Sequence, residues 1–195
     1  DAAARADAAG FDVAEVHAAH GYLLHQFLSP LVNDRHDGYG GTFEGRTRLL
    51  REVVAAVRAV WPDGKPLFVR VSASDWTPDG WSADDTVRLS RELAGAGVDL
   101  IDCSSGGAIP GVAIAAAPNF QVGFAERVRR EAGVASGAVG RIVDPAQADA
   151  IVAEERADLV LLGKQMLREP YWALRAAQEL GAAVPWPDRY AWAVG

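Results

Sequence analysis

The segment FDVAEVHAAHGYL (residues 11–23) joins a short apolar run to a polar cluster, and this junction decides the fold. The run FDVAEV predicts a β-strand, and His17, His20 and Tyr22 follow it within a few residues. Polar side chains at the carboxyl end of an apolar strand are typical of the active-site edge of a parallel sheet. The two histidines have three interpretations: metal ligands, residues of the core, or a set that binds substrate.

Four more runs of the same kind follow along the chain. Each is short and mostly apolar, as expected for parallel strands that are covered on both faces. These runs are PLFVRVSA (66–73), VDLIDCSS (98–105), VASGAVG (134–140) and ADLVLLG (157–163). Helical patterns lie between and after them, at residues 42–61, 82–97, 124–133, 144–155 and 169–181. Ser82 is a predicted N-cap, and Pro145 stands where a helix start tolerates proline.

The alternation of strands and helices predicts an α/β fold, either an open doubly wound sheet or a (β/α)8 TIM barrel. No GxGxxG motif follows any strand, which weakens the dinucleotide-binding alternative. Polar residues instead collect at the predicted strand ends, where barrels build their active sites. They are His17, Arg70, Ser72, Ser104, Ser105, Ser136 and Lys164.

A complete barrel usually needs about 250 residues, and this chain has five predicted strands rather than eight. We therefore predict a single partial TIM-barrel domain over residues 1–195, made of the C-terminal five β/α units. The chain begins DAAARADAAG (1–10), without an initiator Met, in a pattern typical of the second half of a helix. We expect from this pattern that the start is cut.

Composition excludes several classes of function. The chain has 195 residues, a net charge of −7 and no basic run, which argues against nucleic acid as a partner. Apolar stretches are too short for a membrane span, and no signal peptide is evident. Cys103 is the only cysteine, so no intrachain disulfide can form, and we expect a cytoplasmic location.

Several motifs together resemble a known family. They are HAAHGYLLHQFLSPLVNDRHDGYGG (17–41), FVRVSASDW (68–76), GVDLIDCSSGG (97–107), GAVG (137–140), RADLVLLGK (156–164) and LREPYW (167–172). In this order they resemble the flavin-dependent ene-reductases related to old yellow enzyme, in the bacterial thermophilic-like or xenobiotic-reductase-like branch. The resemblance covers essentially the whole chain, and it implies that the first three barrel strands are absent.

The resemblance implies FMN as cofactor, NADPH or NADH as reductant, and an activated alkene as substrate. It assigns His17 and His20 to the carbonyl or nitro oxygen of the substrate, where two N–H donors stabilise developing negative charge. Metal binding is the weaker alternative, because a third and a fourth ligand are lacking. The resemblance assigns Tyr22 to protonation of the α-carbon of the substrate. The alternative is an aromatic residue that only packs at the rim of the site. No comparable role is supported for His25 or His36, and we expect both on the surface or in loops.

The resemblance also implies a set of flavin contacts. Arg70 would lie beside the N1–C2=O edge of the flavin, the alternative being a buried ion pair with a carboxylate such as Asp102. The phosphate would be bound by SSGG (104–107), SGAVG (136–140) and LGK (162–164), because glycine turns offer backbone N–H groups. The predicted residues are Arg70, Ser104, Gly106, Ser136, Gly137, Ala138, Val139, Gly140, Gly163 and Lys164. The family usually has Arg where Lys164 stands, and an aliphatic residue where Arg141 stands.

The end of the chain carries a further prediction. The tail PWPDRYAWAVG (185–195) is rich in aromatic residues. Relatives of this branch send a C-terminal aromatic residue or arginine into the active site of a neighbouring subunit. By resemblance we expect a homo-oligomer in which Trp192 reaches the substrate of its neighbour, the alternative being packing under its own barrel. An inactive barrel fragment, or a half-barrel that binds a phosphate ligand such as FMN without turnover, remains the alternative function.

Overall fold

One parallel sheet organises the protein in the computed structural model, which describes residues 1–193. Its five strands are hydrogen-bonded in the order of the chain, and each neighbouring pair is parallel. The strands are β1 (Ala14–Ala18), β2 (Leu67–Ser72), β3 (Leu100–Ser104), β4 (Ala135–Ala138) and β5 (Leu159–Val160). All five predicted strands are confirmed, although each is shorter than its apolar run.

Helices connect the strands, as the alternating pattern predicts. They are α1 (Ala2–Ala8), α2 (Leu23–Leu28), α3 (Phe43–Arg58), α4 (Ala83–Gly95), α5 (Val122–Arg127), α6 (Pro145–Ala153), α7 (Lys164–Arg168) and α8 (Trp172–Glu179). A π-helical turn, Val128–Ala132, continues α5, and a 3₁₀ helix, Asp188–Ala193, forms the tail. The short helices α2 and α7 were not predicted, because six and five residues are too few to show a helical period.

Local capping explains where the longer helices begin. The Ser82 hydroxyl accepts from the Asp85 amide, and the Asp85 carboxylate accepts from the Ser82 amide, which completes a capping box at the start of α4. Asp144 and Gln147 form the same box ahead of α6, with Pro145 in the first turn. The predicted N-cap at Ser82 is therefore confirmed.

The sheet has one apolar face and one polar face. Side chains alternate along a strand, so Val69, Val71, Ile101 and Cys103 share the face that the helices cover, and all are buried. On the other face, the register aligns His17, Arg70, Asp102 and Gly137 in one row across four strands. This row is the inner layer of a barrel, and the fold is that of five consecutive β/α units of a (β/α)8 barrel.

Candidate active site

His17, His20 and Tyr22 come together at the carboxyl end of β1. The His17 ring centroid lies 5.3 Å from that of His20 and 5.4 Å from that of Tyr22. His17 belongs to β1, His20 to the turn that follows, and Tyr22 is the residue just before α2. We call these three side chains the donor cluster. This proximity is what a shared substrate site requires, and the roles assigned to the three residues stay predictions.

A tight turn carries the donor cluster from β1 to α2. His20 and Gly21 both have left-handed backbone, with φ of 60° and 75°. The His20 amide donates to Ser72 Oγ at 2.9 Å, and the Gly21 amide donates to His25 Nδ1 at 2.9 Å. Ser72 Oγ in turn donates to the Gly106 carbonyl at 2.7 Å. The ends of β1, β2 and β3 are thus joined by side-chain hydrogen bonds.

The SSGG segment packs against this turn. A Cβ at Gly21 would lie 2.3 Å from the Gly107 carbonyl oxygen, so neither position has room for a side chain. Ser104 Oγ lies 2.6 Å from His20 Nε2. Ser104 and Gly106, predicted as flavin contacts, therefore lie beside the donor cluster, and contact with a flavin stays a prediction for both.

Both histidines of the donor cluster are neutral near pH 7. Burial, Arg70 and His25 lower the pKa of His17. Burial, Arg70, His17 and His25 lower the pKa of His20 to about 4. A neutral imidazole carries one N–H donor and one acceptor nitrogen. The Ser104 hydroxyl can donate to His20 Nε2, and the proton of that ring is then on Nδ1.

Arg70 contacts Asp102, its neighbour across the β2–β3 pair. Arg70 Nε lies 3.1 Å from Asp102 Oδ2, without the angle of a hydrogen bond. The sequence interpretation favoured a flavin contact over this ion pair; the structure has the ion pair. The Arg70 side chain is 26% exposed, so the predicted flavin contact stays a prediction. Burial raises the pKa of Asp102 to about 7, with Arg70 opposing the rise and Glu15 adding to it.

His25 corrects a prediction, because it is fully buried rather than on the surface. Its Nε2 lies 3.0 Å from Asp75 Oδ1, and Asp75 also accepts from Ser29 Oγ at 2.7 Å and from the Trp81 amide at 2.8 Å. Burial alone would raise the pKa of Asp75, but these hydrogen bonds outweigh burial and lower it. Sequence reasoning missed Asp75 altogether.

One signal could have found His25. It shares a face of α2 with Leu28, three residues further on, and both are buried. The prediction for His36 is confirmed, since it lies exposed in a loop.

A second site lies at the ends of β4 and β5. It is a cavity of about 780 Å³, and we call it the cationic cavity because three basic residues and no acidic residue line it. Its size suits a small-molecule ligand. The basic residues are Arg141, Lys164 and Arg168.

Glycine shapes the wall of the cationic cavity. A Cβ at Gly140, where φ is 122°, would lie 2.8 Å from Gln121 Nε2 and 2.9 Å from Phe120 Cε1. Arg141 also has left-handed backbone, and its guanidinium donates to the Ala116 carbonyl. The turn after β4 therefore places the Arg141 cation at the rim of the cavity. Its glycine, Gly140, allows Gln121 and Phe120 to pack directly against the backbone.

The predicted phosphate contacts divide into two groups. Val139, Gly140, Gly163 and Lys164 line the cationic cavity, as expected from the SGAVG and LGK motifs. Ser136, Gly137 and Ala138 belong to β4 itself and are buried. The Ser136 hydroxyl is fully buried, which leaves it no direct route to a ligand, and contact of these three residues with a cofactor stays a prediction.

The aromatic tail remains open to solvent. The Trp192 side chain is 84% exposed, and its indole N–H donates to the Arg189 carbonyl at 3.0 Å. Its role toward a neighbouring subunit stays a prediction, and residues 194–195 of the tail motif lie outside the described residues.

Two kinds of feature are absent from residues 1–193. Within that range, no three His, Cys, Asp or Glu side chains form a group that could hold a metal ion. No helix there has the length and apolar character that crossing a membrane requires.

The protein-family comparison decides the assignment. The model of the NADH:flavin oxidoreductase / NADH oxidase family matches residues 1–182. The chain belongs to this family. This confirms the resemblance drawn from the motifs and, for the family, the expectation of a flavin with a nicotinamide reductant.

Curated members of the family are close in sequence. NADPH dehydrogenase of Geobacillus thermodenitrificans is 53% identical over 190 residues, and NADPH dehydrogenase of Bacillus subtilis is 52% identical over 189. Each alignment covers 97% of this chain and 55% of the relative. The chain therefore spans about half the length of the curated relatives it matches.

Solved structures of similar proteins confirm the fold. Morphinone reductase in complex with tetrahydroNAD aligns with a TM-score of 0.73 and 30% identity, over 96% of this chain and 48% of its own. A 2-naphthoyl-CoA reductase complex aligns with a TM-score of 0.82 and 27% identity, over 93% of this chain and 28% of its own. Both alignments match this chain to a part of a longer protein.

Proposed function

We propose that this chain carries the substrate- and phosphate-binding part of an FMN-dependent oxidoreductase that reduces activated C=C bonds with NADPH or NADH. The observation that carries the proposal is the donor cluster, in which two neutral imidazoles and a phenol converge at one strand end. Family membership supports the flavin and the nicotinamide. The donor cluster supports a carbonyl or nitro compound as the acceptor of hydride.

The cationic cavity fits the phosphate of FMN. It offers three cations without a competing carboxylate, and a glycine wall that a side chain would fill. Lys164 and the turns at Gly140 and Gly163 would hold the phosphate, with Arg141 as a further cation. Arg70 would supply a fixed positive charge beside the isoalloxazine ring. FMN, when bound and reduced by NAD(P)H, supplies the hydride from its N5 atom.

His17 and His20 would bind the oxygen of the electron-withdrawing group. Each neutral ring can give one N–H to this oxygen, and the donation strengthens as negative charge develops there. One such donor is worth about 10²–10³ in rate. The low pKa of both rings keeps them uncharged at neutral pH, so the site binds oxygen without binding a simple anion tightly.

Tyr22 would deliver the proton. Its phenol lies next to the His17 ring and is 64% exposed, so a substrate held by the histidines can reach it. A positioned general acid contributes about 10²–10⁴ in rate. The proton would go from the phenolic oxygen to the α-carbon, and solvent would then reprotonate the exposed phenol.

We propose in addition that the whole protein is a homo-oligomer in which Trp192 reaches a neighbouring subunit. Trp192 is 84% exposed and Tyr190 is 53% exposed, and this supports the proposal because exposed apolar side chains grouped together are typical of a surface that binds a partner. The resemblance implies that the loop 33–41 and the helix after it, α3, would help to form the interface.

A second function is a phosphate-binding half-barrel without turnover. The separation of the cationic cavity from the donor cluster favours it, because the cavity can hold a phosphate ligand by itself.

Flavin retention and turnover distinguish the two functions. The purified 195-residue chain would be loaded with FMN, desalted and examined by visible absorption, then mixed with NADPH and cyclohexenone. We expect a retained flavin band, bleaching by NADPH and recovery with the alkene. Tyr22→Phe should slow recovery by about 10²-fold or more and leave bleaching intact. His17→Ala should slow recovery by about 10²–10³-fold, because it removes one N–H donor. His36→Ala, which changes an exposed loop histidine, is its matched control.

Each alternative outcome has a meaning of its own. A retained flavin that NADPH does not bleach supports the half-barrel without turnover. A flavin that washes away refutes cofactor binding by these five β/α units. Recovery at an unchanged rate in Tyr22→Phe refutes the tyrosine as proton donor.

A further inference from the structure

The turn after β1 has a backbone that needs external support. His20 and Gly21 are consecutive left-handed residues, with φ of 60° and 75°. Glycine adopts this region freely, but a residue with a Cβ, such as His20, adopts it at an energetic cost. The turn therefore persists only if contacts outside it stabilise it.

Two buried side chains supply these contacts. Ser72 is 1% exposed and His25 is 0% exposed, and they accept from the two consecutive amides of the turn, His20 and Gly21. Both acceptors are themselves oriented. Ser72 uses its hydroxyl proton on the Gly106 carbonyl, so its lone pairs remain for the His20 amide.

Asp75 sets the tautomer of His25. Because Nδ1 accepts from the Gly21 amide, the ring proton is on Nε2, which donates to Asp75 Oδ1. Asp75 is fixed in turn by Ser29 and by the Trp81 amide. The series of hydrogen bonds from Asp75 through His25 to Gly21 thus connects the loop after β2 to the donor cluster.

We propose that Ser72 and His25 are positioning residues that hold the His20–Gly21 turn and so direct His20 and Tyr22 into the donor cluster. Without either acceptor the turn relaxes toward right-handed backbone, and the His20 ring leaves Ser104. The consequence for catalysis rests on the proposed function, but the positioning of the ring does not.

Titration of the His20 ring measures this positioning directly. In the 195-residue chain, followed by NMR without cofactor, we expect His20 to titrate near pH 4, because it is held among buried neighbours with Arg70, His17 and His25 nearby. In Ser72→Ala, the released ring should titrate closer to its ordinary value of 6.5. Amide hydrogen exchange at His20 should speed up by about tenfold, which corresponds to the loss of one hydrogen bond.

Ser90→Ala is the matched control for Ser72→Ala. Ser90 is also 1% exposed, and its hydroxyl donates to a backbone carbonyl within α4. The two variants lose the same buried hydroxyl, but only Ser72 touches the turn. A rise in the His20 pKa in both variants would reflect general loosening and would overturn the proposal.

Two substitutions of His25 separate its two hydrogen bonds. The amide of His25→Asn reaches the place of Nδ1 and can accept from Gly21, whereas the amide of His25→Gln reaches the place of Nε2 and can donate to Asp75. We expect His25→Asn to keep the low pKa of His20 and His25→Gln to raise it. Equal His20 titration in the two variants and the wild type would refute a positioning role for His25.

Failure of this proposal and failure of the proposed function give different results. If the wild-type chain does not reduce cyclohexenone but the His20 titration changes in Ser72→Ala as stated, the positioning role is supported and the proposed function is refuted. If the alkene is reduced, Ser72→Ala should lower kcat/KM for cyclohexenone about tenfold more than Ser90→Ala does. An unchanged His20 titration in Ser72→Ala overturns the proposal whether or not the alkene is reduced.

Discussion

The donor cluster and the cationic cavity lie at the same edge of one sheet, but they are built in different ways. The donor cluster depends on buried side chains, since Ser72, His25 and Asp75 fix its backbone by directed hydrogen bonds. The cationic cavity depends on glycine turns and on exposed cations. Among the ion pairs of residues 1–193, none includes Lys164, which is exposed.

The difference follows from what each site would bind. An imidazole N–H stabilises a developing charge only if its direction is fixed, because a hydrogen bond weakens steeply with angle. A lysine ammonium acts as a point charge on a flexible stem and tolerates displacement. A site for directed donors therefore needs a buried frame, whereas a site for a phosphate needs charge, backbone amides and room.

The largest effect is expected where the frame of the donor cluster is broken. Asp75→Ala leaves buried donors of His25, Ser29 and Trp81 without an acceptor. Each unsatisfied buried donor costs about 1–3 kcal/mol, so we expect a loss of about 3–5 kcal/mol in the free energy of unfolding. Urea denaturation measures it, with the exposed Asp149→Ala as control, for which we expect a change within about 0.5 kcal/mol. A similar small change in Asp75→Ala would contradict the description of the frame.

A smaller and more local effect is expected in the cationic cavity. Lys164→Ala should weaken FMN binding about tenfold, because it removes one charge near the phosphate without disturbing a buried network. Binding of riboflavin, which lacks the phosphate, should not change in Lys164→Ala. Lys164→Arg, which keeps the positive charge, should bind FMN as well as the wild type does. Fluorescence quenching measures both ligands. The control is Arg130→Ala, a cation whose side chain is 69% exposed on the outside of the protein. A loss of riboflavin binding would show that Lys164 acts on the fold instead.

Asp102 lies between the two sites, on β3, and its effect shows only as a dependence on pH. Its pKa in the folded protein is raised from 3.8 to about 7, so between these values the folded state binds more protons than the unfolded state. Stability from this group is therefore present below about pH 4 and is lost as the pH rises through about 7. Asp102→Asn removes the dependence.

We expect the melting temperature of Asp102→Asn, relative to wild type, to rise from pH 4 to pH 7 by about ten degrees and then to level off. His20 acts in the opposite direction, since its lowered pKa makes the folded state lose stability as the pH falls from about 6.5 to about 4. The comparison of the variant with wild type cancels this contribution. A difference that stays constant with pH would show that Asp102 ionises normally.

Much of the site could be predicted from local sequence. His17, His20 and Tyr22 follow one strand within six residues, so their proximity needed only the strand to be recognised. Gly140, Gly163 and Lys164 follow strands that a parallel sheet brings to the same edge. His25 was predicted wrongly, because α2 is too short for its buried face to be recognised and because the partner Asp75 lies fifty residues away in the chain. The Arg70–Asp102 pair was foreseen only as an alternative, since either partner at a strand end can serve a ligand.

The sequence by itself determined the five β/α units, their order and the family, because apolar periods, caps and contiguous motifs are local properties of the chain. Only the tertiary structure decided which polar groups satisfy one another. The amides of His20 and Gly21 donate to Ser72 and His25, and Asp102 pairs with Arg70. Most of these contacts join segments that are distant in the chain. Buried polar groups must pair with whichever partner the packing brings within reach, and that partner is fixed by the register of the strands rather than by the residues next to it.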